Sequence, residues 1–166
     1  MHNDSDTHIP DLPVPALLAG TKEVVMAELH RRLGQEGHPA IRAGHGCVFR
    51  FVAAEGSRVT TMAALAGMSK QAVGEVVDDL EALGYVERVP DPADRRAKLI
   101  RLTELGLEGQ AAARRIFAEI ERSWAERYGE ERIATMREVL EQIIADAEVE
   151  AVIRAADDIT AASAGS

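Results

Sequence analysis

Apolar residues recur along most of the chain at the three- and four-residue spacing of an amphipathic helix. They predict a first helix over residues 17–33 and a second over 41–54, separated by two glycines and a proline. Gly44 and Gly46 leave the start of the second helix open. Residues 103–128 continue the same pattern, and a last helix follows Gly129. Helices are therefore predicted on both sides of the middle of the chain.

Residues 58–102 contain shorter elements. Thr60 predicts the start of a short helix that ends at Gly67, a turn residue that tolerates positive φ. Ser69 predicts the start of a second helix, which Gly84 ends. The apolar positions on one face of this second helix are Val73, Val76, Val77, Leu80 and Leu83.

Two β-rich stretches follow, at residues 85–89 and 98–102, with turn-forming residues 90–97 between them. The order is thus helix, tight turn, helix and β-hairpin. The fold class predicted is mainly α with a small β-hairpin, with further helices on both sides.

The two short helices meet the requirements of a helix-turn-helix. A small residue is needed where the helices cross, a glycine at the turn, and apolar residues on the inner face of the second helix. Ala63, Gly67, Val73 and Val76 occupy these places. An ordinary helical hairpin has the same pattern, whereas in a helix-turn-helix the second helix enters the major groove of DNA.

The hairpin favours the DNA-binding interpretation. Its loop carries Arg95 and Arg96, whose guanidinium groups suit a minor groove, although a solvated surface turn also explains them. A helix-turn-helix followed directly by a basic hairpin is a winged helix. We therefore predict a winged helix-turn-helix that binds double-stranded DNA.

Length and charge limit where such a site can lie. The 166 residues suffice for one compact domain and exclude a large multidomain enzyme. The net charge of -9 argues against a polyanionic partner. However, residues 58–102 hold 7 basic and 7 acidic side chains, and residues 103–166 hold 7 and 14. A DNA site is therefore expected in the neutral middle of the chain.

The same features predict the organisation and location of the protein. Basic residues begin only at Lys22 and no apolar run approaches a membrane span, so we expect a cytoplasmic protein that does not bind membranes. The predicted regions are a disordered tail (1–15), supporting N-terminal helices (16–57), the winged helix-turn-helix (58–102), C-terminal helices (103–158) and a frayed tail (159–166).

Residues 58–106 closely resemble the MarR family of bacterial transcriptional regulators. The resemblance rests on Asp-Leu-Glu-Ala-Leu-Gly-Tyr-Val-Glu-Arg at 79–88, Asp-Pro-Ala-Asp-Arg-Arg at 91–96 and Leu-Thr-Glu-Leu-Gly at 102–106. It implies a homodimeric winged-helix repressor that reads an inverted repeat and is not an enzyme. It also implies that the first and last helices form the dimer interface, and that a small ligand or an oxidised cysteine often releases the DNA.

The resemblance also assigns residues to the DNA interface. The recognition helix would present Ser69, Lys70, Gln71, Gly74 and Glu75. The family often has arginine where this chain has Glu75, which either accepts from a cytosine amino group or lowers the affinity. Gly74 weakens the helix by about 1 kcal/mol relative to alanine.

The wing would contact DNA through Arg95, Arg96 and Lys98. Asp78 matches a family position that pairs with the second wing arginine, here Arg96, and Asp94 is the other residue expected to orient the wing.

A ligand pocket for a small aromatic effector is a further expectation. Its candidate residues are His45, Phe49, Phe117 and Trp124, although core packing explains them equally well. Cys47 is the one cysteine of the chain, and it is expected to be a small core residue more than a redox sensor.

Metal and enzyme chemistry have little support in the sequence. His30, His38 and His45 lack the spacing of metal ligands, so we expect surface histidines, with no metal and no cofactor. An enzyme built on Cys47 is remote because no nucleophile-and-base pair accompanies it. The alternative to a DNA-binding regulator is a winged-helix module that docks protein through its acidic C-terminal surface.

Overall fold

In a computed structural model, the backbone is described for residues 11–164 and the side chains for residues 11–147. The predictions for residues 1–10 and 165–166 lie outside this range. The chain divides between Ala118 and Glu119 into two compact units. The elements are α1 (Val14–Gln35), α2 (Gly46–Phe51), α3 (Val59–Ala66), α4 (Lys70–Ala82), β1 (Val86–Asp91), β2 (Asp94–Leu102), α5 (Glu104–Tyr128) and α6 (Glu130–Ala164).

The predicted class is confirmed, because the described chain is mainly helical and its two strands form an antiparallel hairpin. The first helix begins earlier than predicted. Pro13 is extended and precedes the helix, and Pro15 lies in its first turn, where a missing amide costs nothing. The predicted tail over 1–15 is therefore wrong for Val14 and Pro15.

The helix predicted over 41–54 is much shorter in the structure. Arg42 is extended, a 3-10 turn spans Ala43–His45, and only Gly46–Phe51 is α-helical. Glycine carries the largest backbone entropy cost of forming a helix. The two glycines at 44 and 46 thus give a turn where the apolar pattern alone predicted a helix.

The helix-turn-helix forms close to where the sequence placed it. Gly67 ends α3 in the left-handed region at φ 62°, as predicted. However, α3 begins after Arg58, which makes no side-chain capping bond, so the predicted cap at Thr60 is wrong. The Ser69 hydroxyl caps α4 by accepting from the Ala72 amide at 3.1 Å, as predicted.

The core of the first unit is mostly aliphatic, as the low aromatic content requires. Tyr85 is the aromatic residue buried in it, at 3% exposure. Truncating a buried aliphatic side chain to alanine typically costs about 2–5 kcal/mol. The largest fully buried side chains are Leu33, Val48, Met62, Val73, Val77, Leu80, Ile100 and Ile116.

A tight joint connects the hairpin to α5. The Thr103 hydroxyl donates to the Gly84 carbonyl at 2.6 Å and accepts from the Gly106 amide at 3.1 Å, which caps the helix. A β-carbon on Gly106 would lie 2.1 Å from the carbonyl oxygen of Tyr85. In the Leu-Thr-Glu-Leu-Gly segment, the threonine thus caps α5, and the glycine allows the backbone of α5 to lie close to Tyr85.

In the second unit, Arg137 of α6 forms an ion pair with Glu121 of α5 and lies 3.7 Å from Glu141. The backbone of α6 is helical as far as Ala164, past Asp158, where fraying was predicted to begin. Within residues 11–164, no helix is long and apolar enough to cross a membrane.

Candidate nucleic-acid interface

The recognition helix α4 has one buried and one exposed face. Val73, Val77 and Leu80 are fully buried and fix the helix against the core. On the opposite face, Ser69, Lys70, Gln71 and Glu75 are exposed, as an interface requires. The capped N-terminus of α4 is therefore accessible, and its free amides and dipole favour an anion.

Two of the polar residues on α4 are already paired. The amide nitrogen of Gln71 donates to the Glu75 carboxylate at 3.2 Å, across one helical turn. Gly74 is half-buried, and a β-carbon there would meet nothing within 4 Å. Packing therefore does not require the glycine at position 74.

The wing contains a β-bulge. Strand pairing proceeds regularly from Val86↔Leu102 to Pro90↔Lys98 and then shifts to Asp91↔Asp94, so residues 95–97 have no paired partner across the hairpin. Proline lacks the amide that the ladder needs, which explains the irregularity next to Pro90. The turn is thus only residues 92–93, and the predicted loop over 90–97 is too long.

The bulge places the two wing arginines in solvent. Arg95, Arg96 and Lys98 are all exposed. Asp94 accepts a hydrogen bond from the Arg96 backbone amide at 3.0 Å, which shapes the bulge. The three basic side chains thus lie together at the outer end of the hairpin.

Asp91 anchors the wing to the helix-turn-helix. Its carboxylate accepts from Arg58 Nε at 2.7 Å and from the Ala93 amide at 2.8 Å, and only 5% of the residue is exposed. The Ala93 amide first, and the Arg58 guanidinium second, hold the pKa of Asp91 below its ordinary value. Sequence reasoning missed this pair, since no local pattern connects residues 33 positions apart.

The predicted pair of Asp78 and Arg96 is wrong. Asp78 accepts from Arg88 of β1 at 2.5 Å, and Arg88 also pairs with Glu81 of α4. The hydrogen bond with Asp78 is the main cause that raises the pKa of Arg88. Because Arg88 lies near the base of the hairpin and Arg96 in the bulge, Asp78 holds the base and leaves the tip free.

Among the basic residues of 58–102, those whose positive charge is uncompensated lie at the N-terminus of α4 and at the wing tip. Within the described part of the chain, the side chains of Lys70, Arg95, Arg96 and Lys98 form no ion pair and no hydrogen bond. In contrast, Arg58, Arg88 and Arg101 are each paired with a carboxylate. The paired arginines hold the winged helix-turn-helix together, and the unpaired cations are available to a polyanion.

A cavity of about 790 Å³ lies within the first unit. Phe49 and Phe117, two of the candidate pocket residues, line it together with Cys47. Its basic lining residues are Lys22, Arg42, Arg50 and Arg114, and none of the residues described as lining it is acidic. The site can hold an apolar body and an anionic group.

The other two candidate pocket residues do not line this cavity. Trp124 belongs to the second unit and is half-buried. His45 is 4% exposed and hydrogen-bonded to Asp79 at 2.8 Å. The chain between Ile41 and Phe51 turns so that neighbours of His45 face the cavity and His45 faces α4.

His38 and His45 are more buried, and Cys47 less buried, than the sequence suggested. His38 is 6% exposed, and its Nδ1 lies 3.2 Å from the Tyr85 hydroxyl, so the expectation of surface histidines is wrong for His38 and His45. Cys47 is half-buried, and desolvation raises the pKa of its thiol, which disfavours the thiolate that redox sensing needs. Among the residues the structure describes, no group of three or more ligating side chains could hold a metal.

A capped recognition helix followed by a bulged basic hairpin defines the winged helix-turn-helix class of protein. The family model described as the MarR family matches residues 42–97. Residues 42–97 thus carry the winged helix-turn-helix of this family of transcriptional regulators, which confirms the resemblance seen in the sequence. Its members are regulators, so the prediction that the protein is not an enzyme is also confirmed.

Individual relatives agree with this assignment. The chain is 35% identical over 77 residues to the uncharacterized HTH-type transcriptional regulator YdcH of Bacillus subtilis, covering 45% of this chain and about half (52%) of that protein. A MarR-family regulator from Rhodococcus sp. RHA1 is 26% identical with a TM-score of 0.62, covering 78% of this chain and 92% of that one. CouR from Rhodococcus jostii RHA1, solved with p-coumaroyl-CoA, is 26% identical with a TM-score of 0.57, covering 82% and 95%.

Proposed function

We propose that this protein is a sequence-specific double-stranded DNA-binding repressor that reads an inverted repeat as a homodimer. The observation that carries the proposal is the set of unpaired, exposed cations on the helix N-terminus and the wing tip. They are Lys70, Arg95, Arg96 and Lys98.

The two parts of the interface suit adjacent grooves. An α-helix fits the major groove, where Lys70 and Gln71 would donate to phosphates or base edges. Arginines inserted into a narrow minor groove read its width and negative potential, which suits Arg95 and Arg96 on the bulge. Glu75 already accepts a hydrogen bond from Gln71. It would keep that bond while it accepts a second one from a cytosine amino group.

Exposed apolar residues on the first and last helices support dimerisation. On α1 they include Leu17, Leu18 and Val24, with 69% of Val24 exposed. On α6 they include Ile143 and Ile144, exposed at 54% and 57%. Apolar groups repeated on one helix are normally covered by a partner, and a second copy of the chain would satisfy both helices.

The cavity supports a response to an anionic effector with an apolar body. Four basic side chains and no described acidic one line it, beside Phe49 and Phe117. A small aromatic acid has this chemistry, and so does the acyl-CoA bound to CouR. Release of DNA by such a ligand is the regulation we propose.

The test is a titration of the protein's own upstream DNA at several salt concentrations. With Z phosphate contacts, the slope of log affinity against log salt is about -0.9Z. The double variant Arg95→Ala/Arg96→Ala should flatten this slope by about one to two units if those side chains meet phosphates. Arg101→Ala is the matched control, because Arg101 lies on the same hairpin but is paired with Glu87.

Two outcomes would contradict the proposal. One is binding with no salt dependence, and the other is an unchanged affinity of the double variant. Absence of any DNA shift, with a stable protein complex recovered instead, would favour the alternative module that docks protein through the acidic C-terminal third.

A further inference from the structure

His45 is a buried histidine with both ring nitrogens engaged. Nδ1 lies 3.2 Å from the backbone amide of Arg42, and Nε2 lies 2.8 Å from Oδ2 of Asp79. A backbone amide only donates, so Nδ1 must be the acceptor. The ring proton is therefore on Nε2, and it is donated to Asp79.

This bond connects a short turn to the recognition helix. His45 ends the 3-10 turn Ala43–His45, and Asp79 lies in the second half of α4. The Arg42 guanidinium, from the residue before the turn, lies 3.4 Å from the same Asp79 oxygen. The last residue of the turn and the residue just before it thus both hold one carboxylate of α4.

The same turn forms part of the cavity wall. Arg42, Ala43, Gly46 and Cys47 line the cavity, whereas His45, between them, points to α4. A β-carbon built on Gly44 or Gly46 meets nothing within 4 Å, so the wall has open space beside it. A displacement of this wall would carry the His45 ring with it.

We propose that His45 is a positioning residue that transmits displacement of the cavity wall to the recognition helix through Asp79. The imidazole is buried, so breaking its bond to Asp79 would leave a desolvated N–H without a partner. The turn and α4 therefore move together more readily than they separate. The proposal rests on the proposed function, because only a DNA-binding α4 gives this movement a regulatory consequence.

Cys47 allows a test that does not require the natural effector. It is the one cysteine of the chain and it lines the cavity. Benzyl methanethiosulfonate converts it to a benzyl mixed disulfide, because the thiolate attacks the thiosulfonate sulfur and methanesulfinate leaves. Methyl methanethiosulfonate gives a small methyl disulfide at the same atom as the control.

Amide hydrogen exchange of α4 measures the transmission. We expect the benzyl adduct to accelerate exchange in residues 70–82 by about fivefold or more relative to the methyl adduct, a typical size for coupling between sites. His45→Phe keeps a ring but loses the bond to Asp79, and it should abolish this acceleration. Asp79→Ala breaks the same bond from a half-exposed side chain, which keeps the test open if His45→Phe does not fold.

Two further variants separate this link from its neighbours. Asp79→Asn keeps an acceptor for Nε2–H but removes the attraction to Arg42, so the acceleration should persist. His38→Phe alters the other buried, hydrogen-bonded histidine, whose partner Tyr85 lies outside α4, and it should also leave the acceleration unchanged. An acceleration that survives in His45→Phe or Asp79→Ala, or one that is absent from the unsubstituted protein, would overturn the proposal.

A DNA titration distinguishes failure of the link from failure of the proposed function. The benzyl adduct should weaken binding to the upstream DNA by about fivefold or more in the unsubstituted protein and leave Asp79→Ala unaffected by the modification. If α4 responds through His45 but no form binds DNA, the link stands and the proposed function fails. If DNA binds but the benzyl group acts equally without His45, the link fails.

Discussion

The base and the tip of the wing use arginine in opposite ways. At the base, Arg88 and Arg101 are paired with carboxylates of α4 and β1. At the tip, Arg95 and Arg96 are exposed and have no side-chain partner among the residues described. The same residue type is therefore structural where its charge is compensated and available for recognition where it is not. Substitutions at the base should change stability, and substitutions at the tip should change DNA affinity.

The largest loss of stability is expected at the joint between the base of the hairpin and α5. Gly106→Ala places a β-carbon 2.1 Å from the Tyr85 carbonyl oxygen, and no rotamer can relieve a backbone contact. We expect a loss of about 3 kcal/mol or more in the free energy of unfolding, measured in urea. Gly20→Ala is the matched control, because a β-carbon there meets nothing within 4 Å. Equal stability of the two variants would show that the joint does not hold the hairpin.

A smaller loss of stability is expected at the anchor of the wing. Arg58→Leu removes the guanidinium partner of the buried Asp91 carboxylate while keeping most of the side-chain volume. A buried carboxylate without its partner is destabilising, so the urea midpoint should fall, though less than for Gly106→Ala. Arg50→Leu removes a similarly exposed arginine that has no ion pair in the described structure. A midpoint no lower for Arg58→Leu than for Arg50→Leu would contradict the anchoring role.

The same anchor predicts a pH dependence. The folded-state pKa of Asp91 is lowered, chiefly by the Ala93 amide and then by Arg58. Its contribution to stability is therefore complete above the ordinary aspartate value of about 3.9 and is lost as pH falls through the lower folded-state pKa. Asp91→Asn should flatten the stability profile below about pH 4. If the stability of the variant changes with pH in parallel to that of the unsubstituted protein, Asp91 is not a cause of the pH dependence.

Local sequence rules predicted the helices and strands of the winged helix-turn-helix, but they did not predict contacts between residues far apart in sequence. The Ser69 cap, the left-handed Gly67 and the end of α4 before Gly84 each depend on a few neighbouring residues, which a sequence displays directly. The pair of Arg58 and Asp91 joins residues 33 positions apart. No period or motif in the chain connects such residues before the hairpin has folded back.

The candidate site shows the same division. Exposed residues of α4 and the wing follow from helix and strand periodicity, and the family resemblance located them. The partner of Asp78 depends on strand register, because Arg88 of the paired strand meets Asp78 while Arg96 lies in the bulge. His45 is a predicted pocket residue, but the 3-10 turn directs its ring to α4. The sequence pattern therefore did not predict strand register or turn geometry, and these two features decide the partners of Asp78 and His45.

A stabilising change is expected on the recognition helix. Gly74→Ala places a methyl group where nothing lies within 4 Å, and alanine favours a helix interior by about 1 kcal/mol over glycine. The free energy of unfolding should rise by about 0.5–1 kcal/mol. Because the methyl group would lie on the face proposed to meet DNA, a simultaneous loss of DNA affinity would show that the groove approaches the backbone at residue 74. A fall in stability would contradict the open space at this position.

The smallest effect on stability is expected at the tip, and it is the sharpest test of the comparison. Arg95→Ala/Arg96→Ala removes two exposed charges that hold no partner in the described structure, so the free energy of unfolding should stay within about 0.5 kcal/mol. Arg88→Ala, at the base, breaks contacts with both Asp78 and Glu81 and should lower it by more. Both variants remove positive charge from one hairpin, so net charge alone cannot explain a difference between them. A double variant that unfolds more easily than Arg88→Ala would show that the tip also supports the fold, and the separation of roles along the wing would be lost.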